Sequence, residues 1–374
     1  MKAEKQSITK ILMVGSSLNV KGGMTTVVES FLRHNFGDDI VLKYIPTHIE
    51  GVGKIQKTLY FLMRLIEICG QLVFGKVKIV HMHMSERGSF SRKYIVFRLA
   101  KFFNKQVITH THGAEFKDFY EKSSSNLKVK IHKLLKGSNV VITLGESWNK
   151  IIKQIEPESN TFILRNSVQI PVNKNAINNE RIKILFLAVL IKRKGILDLI
   201  EASKEIIKEL EKNNKQVEFV IAGDGELAES AKALVVKLGL NSYFKFVGWV
   251  NNEQKHNLLR ETDLFILPSY NEGLPMSILE AISYGIPVIS TNVGSINEAV
   301  RNGENGFLLN AGDKDQLTEY TLKLLMGSDF YKMGARAREI AENFFNIDSY
   351  FETIKNLYLA LNKSMISGEK NGTK

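Results

Sequence analysis

Residues 184–223, ILFLAVLIKRKGILDLIEASKEIIKELEKNNKQVEFVIAG, decide the fold. ILFLAVL (184–190) is a short continuous apolar run of the kind that forms a strand buried on both faces. The basic turn KRKG (192–195) follows it, then the helical stretch ILDLIEASKEIIKEL and a second strand, EFVIAG. A strand, a helix-length segment and a second strand make a βαβ unit, and such units build parallel sheets. The pattern continues with helix ELAESAKALVVKLG, strands FKFVGWV and DLFILPS, helix MSILEAISYG and strands IPVIST and NGFLLN. Upstream, ILMVGS (11–16), KIVHMHM (78–84), QVITHTH (106–112), NVVITLG (139–145) and NTFILRN (160–166) read as strands. MTTVVESFLRHNF (24–36) and SRKYIVFRLAKFF (91–103) read as helices. The chain is therefore expected to be α/β, with two doubly wound Rossmann-like domains. The tract PVNKNAINNERIK (171–183) has the composition of a linker between a first domain, 1–170, and a second, 184–347. The tail from Gln316 to Leu361 reads as helical, and a helix at about 348–365 is expected to rejoin the first domain.

Composition narrows the function classes. The chain has 374 residues, 44% of them hydrophobic and 24% charged, which excludes collagen-like and disordered chains. Its lone cysteine, Cys69, forbids an internal disulfide and a thiolate cluster, and points to a reducing, cytoplasmic setting. The N-terminal residues lack the pattern of a signal peptide, and the apolar stretch Leu59 to Phe74 is interrupted by Arg64, Glu67 and Gln71, too polar to span a bilayer. Residues 1–180 hold 27 Lys and Arg against 14 Asp and Glu, and the remainder 24 against 25, so the net charge of +12 resides in the first half. Such a surface attracts nucleic acid, an anionic membrane or a phosphorylated substrate, and also merely solubilises a protein.

Three clusters carry chemistry. Gly22 and Gly23 follow the first strand, where residues without side chains let backbone amides meet an anion at a helix start, although a simple turn has the same composition. Neither the dinucleotide nor the P-loop glycine pattern is present at that turn. SYNEGLPMSILEAISYGIPVIST (269–291) sets Glu272 and Glu280 eight residues apart; on one helix that is about 12 Å of rise and about 80° of rotation, so the two contact different parts of an extended ligand. The alternative is a favourable interaction of acidic groups with a helix start. The KRK of 192–194 lies at the carboxyl end of a strand and meets the charge left on a diphosphate leaving group, unless it is only a solvated loop.

The 269–291 stretch, with its E-x(7)-E spacing, resembles the donor-binding signature of retaining family 4 glycosyltransferases of GT-B fold. Gly22-Gly23, VHMH (80–83), THG (111–113), RNSV (165–168), KRKG (192–195), AGDGE (222–226) and VGWV (247–250) fall in the family's order along nearly the whole chain. The resemblance implies two domains facing across a cleft, a nucleotide diphosphate sugar as co-substrate, and no cofactor or metal. It places Glu272 beside the transferred sugar, Glu280 on the nucleotide ribose, and Lys194 with Arg193 on the diphosphate. It puts His112 on the donor sugar and Asn166 at the interdomain crossover. Gly22, Gly23, Gly223, Gly225, Val250, Gly273, Leu274 and Met276 complete the implied donor site. The family's G-R-L is replaced here by Ala188-Val189-Leu190, leaving Arg193 or Lys192 to supply the missing positive charge. His81 shares a strand face with His83, and His110 with His112; only two per strand are expected to converge, which argues against a metal.

Acceptor recognition is expected in the first domain. Leu59, Leu62, Leu65, Ile66, Cys69, Leu72 and Val73 recur at helical spacing between Lys54 and Lys57 on one side and Lys76 and Lys78 on the other. This is the pattern of an interfacial helix on an anionic bilayer and equally of a core-facing helix. The combined expectation is a peripheral enzyme at the inner membrane face. It would move a hexose or N-acetylhexosamine to a lipid-linked or glycan acceptor in surface polysaccharide assembly, with no nucleic-acid partner. A nucleotide-sugar epimerase of the same fold and a non-catalytic anionic-surface binding protein are the alternatives.

Overall fold

The computed structural model describes residues 8–172 and 181–371, with side chains described to residue 364. The chain divides into two compact units: residues 1–165 with 349–374, and residues 166–348.

In unit 1 the strands are β1 (Thr9–Gly15), β2 (Ile40–Pro46), β3 (Ile79–Met84), β4 (Gln106–Thr111), β5 (Val140–Thr143) and β6 (Thr161–Ile163). The helices among them are α1 (Gly23–Arg33), α2 (Lys54–Phe74), α3 (Gly88–Phe102), α4 (Phe116–Glu121), α5 (Ser125–Gly137) and α6 (Glu146–Ile155). The sheet is parallel, in the order β2-β1-β3-β4-β5-β6. Strands β1, β3 and β4 are buried along almost their whole length, as expected where helices cover both faces. Edge strand β2 was not foreseen, because it alternates between buried and exposed residues.

Unit 2 holds β7 (Arg181–Leu187), β8 (Gln216–Ala222), β9 (Phe244–Gly248), β10 (Leu264–Leu267), β11 (Val288–Thr291) and β12 (Gly306–Leu309). Its helices are α7 (Ile196–Lys212), α8 (Ala228–Lys237), α9 (Asn252–Arg260), α10 (Met276–Ser283), α11 (Ile296–Ala299), α12 (Lys314–Met326) and α13 (Phe330–Phe344). The parallel order β12-β11-β10-β7-β8-β9 reverses direction between β7 and β10, the switch point at which doubly wound sheets receive ligands.

The expected helical tail is three helices, the last being α14 (Ile347–Asn371). From Ser349 onward α14 belongs to unit 1, where Tyr350, Phe351, Ile354 and Tyr358 are buried. The division between the units falls at 165/166, earlier than the expected end of the first domain at 170, so the 171–183 tract belongs to unit 2 and is not a linker between the two. Arg181, Ile182 and Lys183 already pair with β8, and Val168 is bridged to Asn346 within unit 2; residues 173–180 lie outside the described residues.

Candidate functional site

At the switch point of unit 2, the chain leaves β7 into a single tight turn, Lys192–Lys194, closed by Gly195 at φ +72°. A Cβ on Gly195 would lie 2.1 Å from the Pro268 carbonyl oxygen, so only glycine lets this loop press against the loop that follows β10. The two loops are then tied together: Tyr270 N donates to Arg193 O at 2.8 Å, and Arg193 Nη1 donates to Asn271 O at 3.1 Å. This brings the basic turn onto Glu272, whose side chain is 6% exposed. Lys194 Nζ donates to Glu272 Oε1, Ser269 Oγ donates to the same oxygen at 2.8 Å, and Arg193 Nη1 lies 3.7 Å from Oε2. Of the two residues left to replace the family arginine, Arg193 is at this carboxylate and Lys192 is exposed.

Glu280 does not share a helix with Glu272. Pro275 caps α10, which begins at Met276, so Glu272 precedes the helix and the helical rise calculated between the two does not apply. Glu280 lies on α10 and pairs with its own cation, Lys255 of α9, at 2.5 Å, with both side chains about 15% exposed. Lys255 and Ser269 were not singled out from the sequence. No spacing rule connects α9 to α10, and a serine three residues before a glutamate is unremarkable.

The remaining predicted residues of unit 2 lie along the same sheet edge. Asn166 Nδ2 donates to Leu274 O at 2.8 Å, which fixes the residue before Pro275, while its buried Oδ1 has no hydrogen-bond partner. Gly273 O accepts from Ser295 N at 2.9 Å. Leu274 is buried and Met276 half-buried at the start of α10. Gly223 sits at φ +149°, and a Cβ there would lie 1.8 Å from Ala188 O; Gly225 approaches Leu190 O in the same way. Contact with the loop after β7 thus already requires both glycines. Gly223 N donates to Gly248 O at 2.8 Å, and half-buried Val250 follows β9.

Gly22, Gly23 and His112 lie in unit 1. Gly22 caps α1 at φ +145°; no side chain caps that helix, and its first turn carries no acidic residue. The histidines differ from expectation. Because β3 and β4 are neighbours with His83 opposite His110, all four imidazoles stack on one face of the sheet. Ring centroids are 4.6 Å apart for His81–His83, 5.0 Å for His83–His112 and 4.3 Å for His110–His112. His81 Nδ1 is 2.6 Å from Tyr358 Oη, and His83 Nδ1 is 2.9 Å from His112 Nε2. Burial pushes all four well below the usual histidine range, His81 and His112 to about 3, so the stack is neutral at pH 7. Ligand atoms of His81, His83 and His110 lie within 4.8 Å of one another. His81 Nε2 is 3.3 Å from His110 Nδ1, so part of this cluster is held together by a hydrogen bond between two of its imidazoles.

These geometries have counterparts among known proteins. The family model for glycosyl transferases group 1 matches residues 169–344, within unit 2. The UDP-Gal:alpha-D-GlcNAc-diphosphoundecaprenol alpha-1,3-galactosyltransferase of Escherichia coli is 28% identical over 341 residues, 86% of this chain and 84% of the relative. Among solved structures, sucrose-phosphate synthase from Thermosynechococcus elongatus superposes with a TM-score of 0.78 at 16% identity, covering 95% of this chain and 100% of that one. Anabaena HepE in complex with UDP and glucose gives 0.75 at 18% identity, over 93% and 99%. These likenesses fix the GT-B fold, and within it residues 169–344 match the glycosyl transferases group 1 family.

Proposed function

We propose that the protein is a retaining glycosyltransferase of family 4. In this reading it transfers a hexose or N-acetylhexosamine from a nucleoside diphosphate sugar to a lipid-linked or glycan acceptor in bacterial surface polysaccharide assembly. The observation that carries the reading is the convergence of Lys194, Arg193 and Glu272 at the switch point of unit 2. Breaking the bond between sugar and phosphate leaves negative charge on the diphosphate, and Lys194 and Arg193 are the cations placed to meet it. A nucleotide competes with Glu272 for those cations and frees the carboxylate to accept hydrogen bonds from the sugar hydroxyls. Glu280, oriented by Lys255, accepts from the ribose hydroxyls. The acceptor hydroxyl forms the new C–O bond on the face from which the diphosphate departs, and its proton passes to the leaving phosphate oxygen, so configuration is retained. The family resemblance assigns His112 to the donor sugar; as a neutral imidazole it donates or accepts one hydrogen bond without carrying charge. No step in this scheme uses a metal.

Membrane contact through α2 is part of the reading. Among the described residues no helix is long and apolar enough to cross a membrane. Helix α2 buries Phe61, Ile68 and Leu72 against unit 1 yet exposes Ile55, Leu59, Leu62, Met63, Ile66, Val73 and Phe74, with Ile66 74% and Phe74 84% exposed. An apolar stripe with Lys54 and Lys76 near its ends suits an anionic bilayer surface. The lipid-linked acceptor in the name of the Escherichia coli relative supports the same setting.

The first test is thermal stabilisation by a panel of UDP, GDP, ADP and CDP sugars, since a ligand of the native state raises Tm by mass action. The reading expects a selective shift with one base that is lost in Lys194→Ala. A flat panel refutes the donor site. Turnover of the donor alone, with no acceptor, identifies an epimerase instead.

A further inference from the structure

Unit 1 holds a second concentration of positive charge, at the carboxyl ends of β1 and β2 and beneath α3. Lys93 of α3 is fully buried, and its Nζ donates to Thr47 Oγ1 at 2.7 Å. Thr47, the residue after β2, donates through both its hydroxyl and its amide to Gly15 O at the end of β1, each at 2.8 Å, so Lys93 is aimed at the sheet edge by a fixed partner. Beside it, Arg92 is half-buried with its Nε sealed from solvent and without a hydrogen-bond partner. His48 adjoins Thr47 in the chain, and burial first, then repulsion from Arg92, Lys57 in the first turn of α2 and Lys93, lowers its pKa to about 4. None of the four forms an ion pair among the described residues. This differs from unit 2, where Lys194 and Lys255 each hold a carboxylate.

A buried ammonium whose neighbours are cations is costly for the fold and gains nothing from the protein itself. Surface lysines elsewhere in the chain pair with carboxylates one helical turn away, as Lys208 does with Glu205 and Lys232 with Glu229. An anion bound from outside the polypeptide would supply the negative charge that the protein itself does not place there. Its charge density and hydrogen-bond donors, an ammonium, a guanidinium and an imidazole, match a tetrahedral oxyanion that accepts several bonds at once.

We propose that Lys93, Arg92, His48 and Lys57 form a binding site for a phosphate or diphosphate group, separate from the diphosphate-binding residues of unit 2. The site stands on unit 1 alone; its assignment to the acceptor's phosphate rests on the transferase reading above. Helix α2 carries Lys57 in its first turn and the exposed apolar stripe along its length, so a lipid-linked diphosphate would place its head at Lys57 and its chain along the stripe.

The test is isothermal titration of the full chain with inorganic pyrophosphate, for the wild type, Lys93→Met, Arg92→Gln and Lys194→Ala. Lys93→Met and Arg92→Gln are expected each to weaken one binding event at least tenfold while leaving nucleoside diphosphate affinity unchanged. Lys194→Ala is expected to do the reverse. Pyrophosphate binding that is the same in Lys93→Met and Arg92→Gln as in the wild type overturns the proposal. Failure of every nucleotide to bind while the Lys93-dependent event persists refutes the transferase reading and leaves this site standing. A second arm uses phosphatidylcholine vesicles carrying farnesyl diphosphate. Lys93-dependent binding tighter than that of pyrophosphate assigns the site to a lipid-linked ester, and equal affinity assigns it to a soluble phosphate.

Discussion

Lys93→Met should stabilise the protein, and the gain should depend on pH. Lys93 is fully buried, and its pKa is lowered to about 7, first by burial and then by Arg92, from an ordinary value of 10.5. A base whose folded-state pKa is depressed binds fewer protons when folded than when unfolded, so stability rises with pH between the two values. The cost of the buried charge is complete below the folded pKa and vanishes above 10.5. That difference in proton affinity corresponds to about 5 kcal/mol at pH 6, about 4 at pH 7 and about 2 at pH 9. Methionine has similar length and no charge, and Thr47 keeps its bond to Gly15 O, so the substitution removes the cost without opening a cavity. The chain's two tryptophans, Trp148 and Trp249, lie one in each unit. Urea unfolding in a Trp249→Phe background therefore reports on unit 1 through Trp148. Wild type and Lys93→Met compared at pH 6, 7.5 and 9 isolate Lys93, because every other titrating group is common to both. A variant less stable at pH 6, or a difference between the two that does not change with pH, would refute the argument that Lys93 is an uncompensated buried cation.

Further outcomes follow from the unit 2 site and from α2. Glu272→Gln is expected to lower transfer by at least about 100-fold in a donor-to-acceptor assay while the circular dichroism spectrum is unchanged; normal turnover would remove Glu272 from the reaction. Lys194→Ala deletes a charge-assisted bond worth about 1.5–3 kcal/mol and should weaken donor binding by about 10- to 100-fold in calorimetry. Ile66→Glu should cut sedimentation with anionic vesicles by about tenfold or more, the equivalent of one buried isoleucine, and leave Tm in place because that side chain is exposed; undiminished binding would dissociate α2 from the membrane.

The runs ILMVGS, KIVHMHM, QVITHTH and ILFLAVL were legible as strands because a sheet covered on both faces demands continuous apolar residues. Strand β2 was not, since an edge strand needs only one apolar face and IVLKYIP satisfies that loosely. In unit 2, Glu272 and the KRK turn were visible as a pattern. Their meeting was not, because it depends on β7 lying beside β10, a long-range pairing that local sequence does not encode. The four histidines show the same limit: strand alternation correctly pairs His81 with His83 in β3 and His110 with His112 at the end of β4, but the stack of four exists only through the register between those strands. Lys93 was hidden for another reason. In SRKYIVFRLAKFF it reads as one charge among several on an amphipathic helix, and burial of a lysine is a property of its neighbours.

The position of Tyr358 bears on how the protein is made. Unit 2 is an uninterrupted run of chain, so completing its contacts requires no later segment. Unit 1 emerges first yet finishes last: the hydroxyl that meets His81, and the aromatic side chains of Tyr350 and Phe351 that pack on Phe31, are translated more than 300 residues after β1 begins. Until then His81 lacks its hydroxyl partner, and Phe31 of α1 lacks the two aromatic rings that pack on it. A chain cut short before α14 would release a finished unit 2 joined to an unfinished unit 1, so proteolysis of such products should begin in the N-terminal portion, although the missing residues are C-terminal.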